Sequence, residues 1–201
     1  KQGIIKKTSL EAYSRPRVNG INAITVREGD TLLEAKLTNG EQDIMLAVKS
    51  GKAIRFPESK VRSMGRNASG VRAITVDSEN DEVVGMIVVQ EGDGFDVMVV
   101  SEQGYGKRSA LEDYRITNRG GKGVKTITVT NKTGELVSLK AVTDEDDLMI
   151  ITKKGTMIRM GVDTLRVMGR ATQGVRLITL RKGDEIASIA KVPASEEEDA
   201  E

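Results

Sequence analysis

Gly70-Val-Arg-Ala-Ile-Thr-Val76 decides how this chain is read, because the same stretch returns three more times. The other copies are Gly20-Ile-Asn-Ala-Ile-Thr-Val26, Gly123-Val-Lys-Thr-Ile-Thr-Val129 and Gly174-Val-Arg-Leu-Ile-Thr-Leu180, with leading glycines 50, 53 and 51 residues apart. A second marker keeps the same beat: Lys1-Gln-Gly3, Lys49-Ser-Gly51, Glu102-Gln-Gly104 and Lys153-Lys-Gly155, spaced 48, 53 and 51. Two independent markers on one period define a fourfold tandem repeat and set aside a single irregular sandwich with accidental self-similarity.

Within each repeat the pattern is β. Asp43-Ile-Met-Leu-Ala-Val48, Asp96-Val-Met-Val-Val100 and Asp147-Leu-Met-Ile-Ile151 are short apolar runs, each followed by a turn glycine. Continuous apolarity over about five residues suits a strand covered on both faces, and the glycine permits a tight hairpin turn. The Ile-Thr-Val segments alternate and are β-branched, which predicts half-buried strands. Residues 31–37, 82–89, 135–142 and 185–192 supply the remaining strand of each repeat. Four-stranded units of this length in tandem point to blades around an axis, with almost no helix.

The 201 residues contain no Cys and no His, which removes disulfide frameworks, thiol nucleophiles, zinc clusters and histidine-based triads. Aromatic residues make up 2% of the chain, too few for stacking platforms that hold single-stranded nucleic acid. No apolar run approaches the roughly 20 residues of a membrane span, and no signal-peptide pattern precedes the first strand. A chain opening on Lys1 rather than Met reads as a piece of something longer.

The formal net charge is only +1, but its distribution is segregated. The windows 1–26, 49–76, 102–129 and 153–180 hold 24 basic and 6 acidic residues; the rest of the chain holds 7 basic and 24 acidic. Equivalent positions fall on equivalent parts of each repeat, so a basic side and an acidic side are expected. Such a basic side matches the phosphate spacing of a bending duplex, whereas the bland alternative is a merely solvated face. The scarcity of Asn and Gln pairs argues against readout of base edges.

The loops ahead of the Ile-Thr-Val segments are small-residue-rich and basic: Arg62-Ser-Met-Gly-Arg-Asn-Ala-Ser-Gly70, Arg115-Ile-Thr-Asn-Arg-Gly-Gly-Lys-Gly123, Arg166-Val-Met-Gly-Arg-Ala-Thr-Gln-Gly174 and Arg15-Pro-Arg-Val-Asn-Gly20. Exposed backbone N–H groups beside Arg or Lys suit phosphate. Gly65 and Gly70, like Gly169 and Gly174, have P-loop spacing, but Val71 and Val175 stand where that motif needs lysine, so nucleotide binding is rejected. Acidic turns at Glu28/Asp30, Asp81/Glu82 and Asp144–Asp147 read as solvated hairpins rather than a metal site. Tyr13, Tyr105 and Tyr114 read as packing or rim residues, and the eight Met as core fillers.

With Ser50-Gly-Lys-Ala-Ile-Arg-Phe56, Val61-Arg-Ser-Met-Gly65, Gly70-Val-Arg72, Gly104-Tyr-Gly-Lys-Arg108 and Val167-Met-Gly-Arg170 followed by Gln173-Gly-Val175, the chain resembles the C-terminal domain of bacterial DNA gyrase A across all four repeats. The resemblance implies an all-β fold, a propeller-like β-pinwheel of about four blades over residues 1–193, and a duplex-wrapping role in a type II topoisomerase that introduces negative supercoils. It further implies that strand cleavage and ATP hydrolysis lie elsewhere in a cytoplasmic parent enzyme. The expected partners are duplex DNA, the rest of gyrase A and its companion gyrase B, with no cofactor, no metal, no membrane and a monomeric isolated domain. The family's box, Gln-Arg-Arg-Gly-Gly-Lys/Arg-Gly, is matched in its second half by Asn118-Arg-Gly-Gly-Lys-Gly123, in the third repeat rather than the first; an upstream blade with the full box is expected. The related C-terminal domain of topoisomerase IV and a protein-binding propeller are the alternatives.

The residues expected to meet DNA are Lys6, Lys7, Arg15, Arg17, Lys52, Arg55, Arg62, Arg66, Arg72, Lys107, Arg108, Arg115, Arg119, Lys122, Lys125, Arg159, Arg166, Arg170 and Arg176. The segment 194–201, with five acidic residues, is expected to be a disordered tail that solubilises or competes with DNA.

Overall fold

A computed structural model describes residues 1–193, so the expected acidic tail lies outside the described residues. Within them the chain forms thirteen β-strands and three short 3₁₀ turns, at Leu10–Tyr13, Glu58–Lys60 and Leu111–Asp113. It divides into two compact units. The first is Lys1–Gly92 together with Arg115–Val124; the second takes Asp93–Tyr114 and the chain from Lys125 onward.

In the first unit, β1 (Ile4–Ile5) pairs antiparallel with β4 (Val71–Arg72), Ile4 opposite Arg72. The four-stranded sheet has β2 (Asp43–Val48) between β5 (Val83–Val89) and β3 (Lys52–Pro57), with β8 (Val124–Lys125) on the outer side of β3. The apolar run of β2 is buried from Ile44 to Val48, as a central strand covered on both faces requires. In the second unit, β6 (Asp96–Ser101) lies between β9 (Leu136–Val142) and β7 (Tyr105–Ala110), and β12 (Val175–Arg176) adds to β7. A three-stranded sheet places β10 (Asp146–Thr152) between β11 (Met157–Gly161) and β13 (Ile186–Pro193).

The fourth strand of a sheet is therefore supplied by the Gly-Val-Arg/Lys segment of the following repeat. This explains the glycine that leads the second, third and fourth copies of the marker; Gly20 has no such neighbour. Gly123 has φ +76°, and a Cβ there would stand 2.4 Å from the carbonyl oxygen of Ala53; at Gly174 the same atom would meet Gly106 O at 2.5 Å. Only glycine lets the incoming backbone lie this close to the strand it joins.

Two sequence expectations are corrected. The Ile-Thr-Val segments are not strands beyond their first paired residues, and Gly20–Val26 contributes none. Their N–H groups bond to loops instead, Ala73 N to Gly3 O at 2.8 Å and Thr75 N to Gly121 O at 2.9 Å, while Ile74 and Ile127 plug the interior. The stretch 31–37 also forms no strand, although its counterparts in the later repeats are β5, β9 and β13. Separate cores fill the units, one built on Ile44, Leu46, Ile54, Phe56 and Ile74, the other on Met98, Val100, Leu148, Ile150 and Ile186. Met45 and Met98 are buried as expected of core fillers, whereas Met157 is exposed.

Candidate nucleic-acid interface

The basic residues sort into recurring positions with different surroundings. Four residues after each hairpin glycine stand Lys7, Arg55, Arg108 and Arg159. Arg55 Nε donates to Asp43 at 2.9 Å, Arg108 Nε to Asp96 at 3.0 Å, and Arg159 Nε to Asp147. Each aspartate stands at the start of the central strand and sits diagonally across the hairpin from its arginine. Arg108 is buried and also reaches Asp144 at 2.6 Å and Val162 O at 3.0 Å. Lys7, whose repeat has no such strand, lies 3.5 Å from Glu58. Lys52 pairs with Asp77. These side chains, all expected to meet DNA, answer the protein's own carboxylates.

A second class holds loops. Arg119 donates from Nε to Lys60 O at 2.9 Å and from Nη1 to Arg72 O at 2.8 Å; Arg170, at the same place in its repeat, donates to Asp113 O at 3.1 Å and Lys125 O at 2.8 Å. Arg66 reaches Asn22 O at 3.0 Å. Lys107 is 1% exposed and directs its ammonium at Gly169 O (2.7 Å), Arg170 O and Thr172 Oγ1. Burial lowers its pKa to about 8, with Asp113 raising it and Arg170 lowering it. Lys6 does the same for Ala23 O and Arg66 O, and burial, then Arg66, lowers its pKa. Lys107 and Arg108 are thus corrections to the expected surface set: both are interior.

The third class faces solvent. Arg62, Arg115 and Arg166 occupy one repeat position, eight residues before the marker glycine, and all are exposed with no ion pair or side-chain hydrogen bond among the described residues. Arg72, Lys125 and Arg176 occupy another, two residues after that glycine, and are also exposed. The first two have no side-chain partner, while Arg176 donates to Tyr105 Oη at 3.0 Å and lies 5.5 Å from its ring. Arg15 and Arg17 are exposed and unpaired, and Lys122 makes only a 3.7 Å approach to Asp77. In the first unit, Arg119 ties down the backbone at Lys60 and Arg72, so it steadies the segments carrying Arg62 and Arg72. In the second unit, Arg170 ties down the backbone of Lys125 in the same way.

Sequence reasoning missed two features. Lys132 covers the Tyr105 ring at 5.3 Å, a contact that no spacing in the sequence marks. Glu58, 2% exposed, accepts from Thr38 Oγ1 (2.8 Å), Gly40 N (2.8 Å) and Gln42 N (3.1 Å); burial pushes its pKa up, but these bonds and Lys7 outweigh it and leave the carboxyl below its ordinary value. The described residues contain no cluster of His, Cys, Asp and Glu that could hold a metal ion, and no helix long and apolar enough to cross a membrane.

A family model described as "DNA gyrase C-terminal domain, beta-propeller" matches residues 1–39, 42–90, 96–143 and 146–193, which are the four repeats. The chain belongs to the DNA gyrase C-terminal domain family. Among curated relatives, the DNA gyrase A protein of Staphylococcus aureus (strain MRSA252) is 45% identical over 201 residues, covering 100% of this chain and 23% of the relative; that of Chlamydia pneumoniae is 44% identical over 200 residues, covering 99% and 24%. The chain spans about a quarter of the length of these gyrase A proteins. Among solved structures, the C-terminal domain of DNA topoisomerase IV matches with TM-score 0.89 at 23% identity (96% of this chain, 60% of that one), and the DNA gyrase A C-terminal domain with 0.81 at 24% (94% and 62%). The expected all-β pinwheel is the fold shared with these domains, and the four sheets fit about four gyrase-type blades.

Proposed function

We propose that this domain binds duplex DNA through its phosphates and wraps it, as part of a bacterial gyrase A protein that acts with gyrase B in the cytoplasm to introduce negative supercoils, the cleaving tyrosine and the ATPase lying outside this segment. The observation that carries the reading is the pair of recurring exposed positions, Arg62/Arg115/Arg166 and Arg72/Lys125/Arg176, five of whose six members have no side-chain partner among the described residues. Unpaired cationic groups repeated at fixed chain intervals supply phosphate ligands without base readout. Arg15, Arg17 and Lys122 add further exposed cationic groups in the first unit. Lys107 and Arg108 support it from within the second.

The test is duplex affinity measured by anisotropy between about 50 and 200 mM salt, with two unrelated sequences of equal length. Several phosphate contacts give a log K against log salt slope of roughly −0.9 per contact, shared by both sequences. A flat salt response, or a large preference for one sequence, overturns the reading.

A further inference from the structure

Tyr105 is the first residue after the hairpin glycine of the third repeat, where the other repeats have Ile4, Lys52 and Thr156. It faces Arg176 across the junction of β7 and β12, as Ile4 faces Arg72 across that of β1 and β4. The third repeat thus sets a phenol against the recurring exposed cation. Arg176 donates from Nη2 to the Tyr105 hydroxyl at 3.0 Å, and its guanidinium carbon lies 5.5 Å from the ring centre. Lys132 Nζ lies 5.3 Å from the same centre. Lys132 is exposed and stands four residues before Leu136; the same place before Leu32 and Val83 holds Glu28 and Glu79.

Two cations therefore converge on one hydroxyl-bearing ring. Their charges repel, and neither makes an ion pair among the described residues. The second repeat shows how the fold answers a cation at this place: Lys52, in the position of Tyr105, pairs with Asp77. In the third repeat Thr130 stands where Asp77 stands, one residue after the marker, and its hydroxyl accepts from Gln173 Nε2 at 3.3 Å. The carboxylate is gone and a second cation stands in the turn. The Arg176 hydrogen bond, followed by the charges of Arg176 and Lys132, holds the Tyr105 phenol below its ordinary pKa against the opposing effect of burial. The oxygen accepts from Arg176, and its proton has no acceptor among the described residues.

We propose that Tyr105, Lys132 and Arg176 form a phosphate site, in which the two cations neutralise the anion and the phenolic O–H orients it. It rests on the reading of this domain as a duplex binder, so the group it takes is a backbone phosphodiester. Charge-assisted bonds from guanidinium and ammonium supply the attraction, and the hydroxyl, fixed by its bond to Arg176, supplies direction. Lys132 thereby joins the duplex-facing cations, although residue 132 falls outside the four basic windows of the sequence.

The experiment titrates the domain, its tyrosine rings isotope-labelled for NMR, with a short duplex, with inorganic phosphate and with chloride at matched ionic strength. The duplex shifts Tyr105 and leaves the buried Tyr114 in place, and Lys132→Ala abolishes the shift. The same variant flattens the log K against log salt slope for duplex by about 0.9. Tyr105→Phe keeps the ring and lowers duplex affinity by about tenfold. A shift with inorganic phosphate but not with duplex supports the site and assigns it to a free phosphate. A duplex that binds without moving Tyr105, with phosphate no better than chloride, overturns the proposal and leaves the duplex reading standing. A domain that binds no duplex while phosphate moves Tyr105 does the reverse. An unchanged shift and slope in Lys132→Ala also overturns the proposal, and should Tyr105→Phe fail to fold, that variant decides alone.

Discussion

Arg119 donates from Nη1 to the backbone carbonyl of Arg72 at 2.8 Å, so one basic residue fixes the stance of another. The fork that closes on Lys60 O at the same time uses the planar geometry of guanidinium, which an ammonium cannot copy. The box-like loop of the third repeat thus acts first on protein. Arg119→Ala lowers duplex affinity while changing the salt slope by less than about half a unit, and Arg119→Lys does not restore it. Arg115→Ala, which removes an exposed unpaired guanidinium, flattens the slope by about 0.9. Salt titrations of the three variants check this, and equal slope losses for Arg115→Ala and Arg119→Ala refute it.

Arg108 is held by Asp96 and Asp144 and is buried beside them. Replacing it with alanine leaves Asp96 facing the sheet without its partner. The expected loss is about 2–3 kcal/mol of unfolding free energy, below the largest values for buried pairs because Asp144 is exposed. Arg166→Ala, at a solvent-facing position, costs within about 0.5 kcal/mol. Chemical denaturation of both variants distinguishes them.

Lys107 gives the domain a pH response on the basic side. Its folded pKa of about 8 lies below the roughly 10.4 of an unfolded lysine, so between these values the unfolded chain binds more protons. The folded state carries a penalty below pH 8 that is relieved as pH rises through this window. Unfolding free energy accordingly increases from about pH 8 toward 10, by at most about 1.4 kcal/mol per unit, and Lys107→Met abolishes this component. Denaturation at roughly pH 7.5, 8.5 and 9.5 measures it.

Glu58 governs the acid side. Its folded pKa is depressed, so the stability it contributes is present above the unfolded carboxylate value of about 4.3 and is lost as pH falls through the folded value. Glu58→Gln costs about 1–3 kcal/mol at neutral pH, since the turn at Gly40 and Gln42 loses its charged acceptor, and the acid transition of the variant becomes less steep. Acid titration of both proteins, followed by circular dichroism, measures the difference.

Central strands were readable in advance as unbroken apolar runs, and β2, β6 and β10 fall where those runs stand, with β2 and β6 buried on both faces and β10 alternating between buried and half-buried residues. The Ile-Thr-Val segments misled because β-branched alternation reports a half-buried extended chain and says nothing about which backbone answers its N–H groups. For Thr75 that partner is Gly121, far along the sequence. Charge segregation was equally legible, but not the division of the basic residues into paired and unpaired. A signal did exist: Asp43 to Arg55, Asp96 to Arg108 and Asp147 to Arg159 all span 12 residues, a spacing that a hairpin turns into a diagonal ion pair. The carbonyl-binding role of Arg119 and Arg170 left no such trace, since a backbone acceptor has no residue type.

The loan of β8 to β3 imposes an order of events during synthesis. The sheet begun at Asp43 acquires β3 and then β5 as the chain emerges, yet its outer edge on β3 stays open until the third repeat supplies Ile116 and Thr117 beside Arg55 and then β8. For that interval the nascent chain presents a row of unpaired backbone groups on a strand whose Ala53, Ile54 and Phe56 are destined for the interior. A ribosome that stalls at the start of the third repeat holds out a sticky edge, and one that proceeds closes it with Ile116, Thr117 and the two residues of β8.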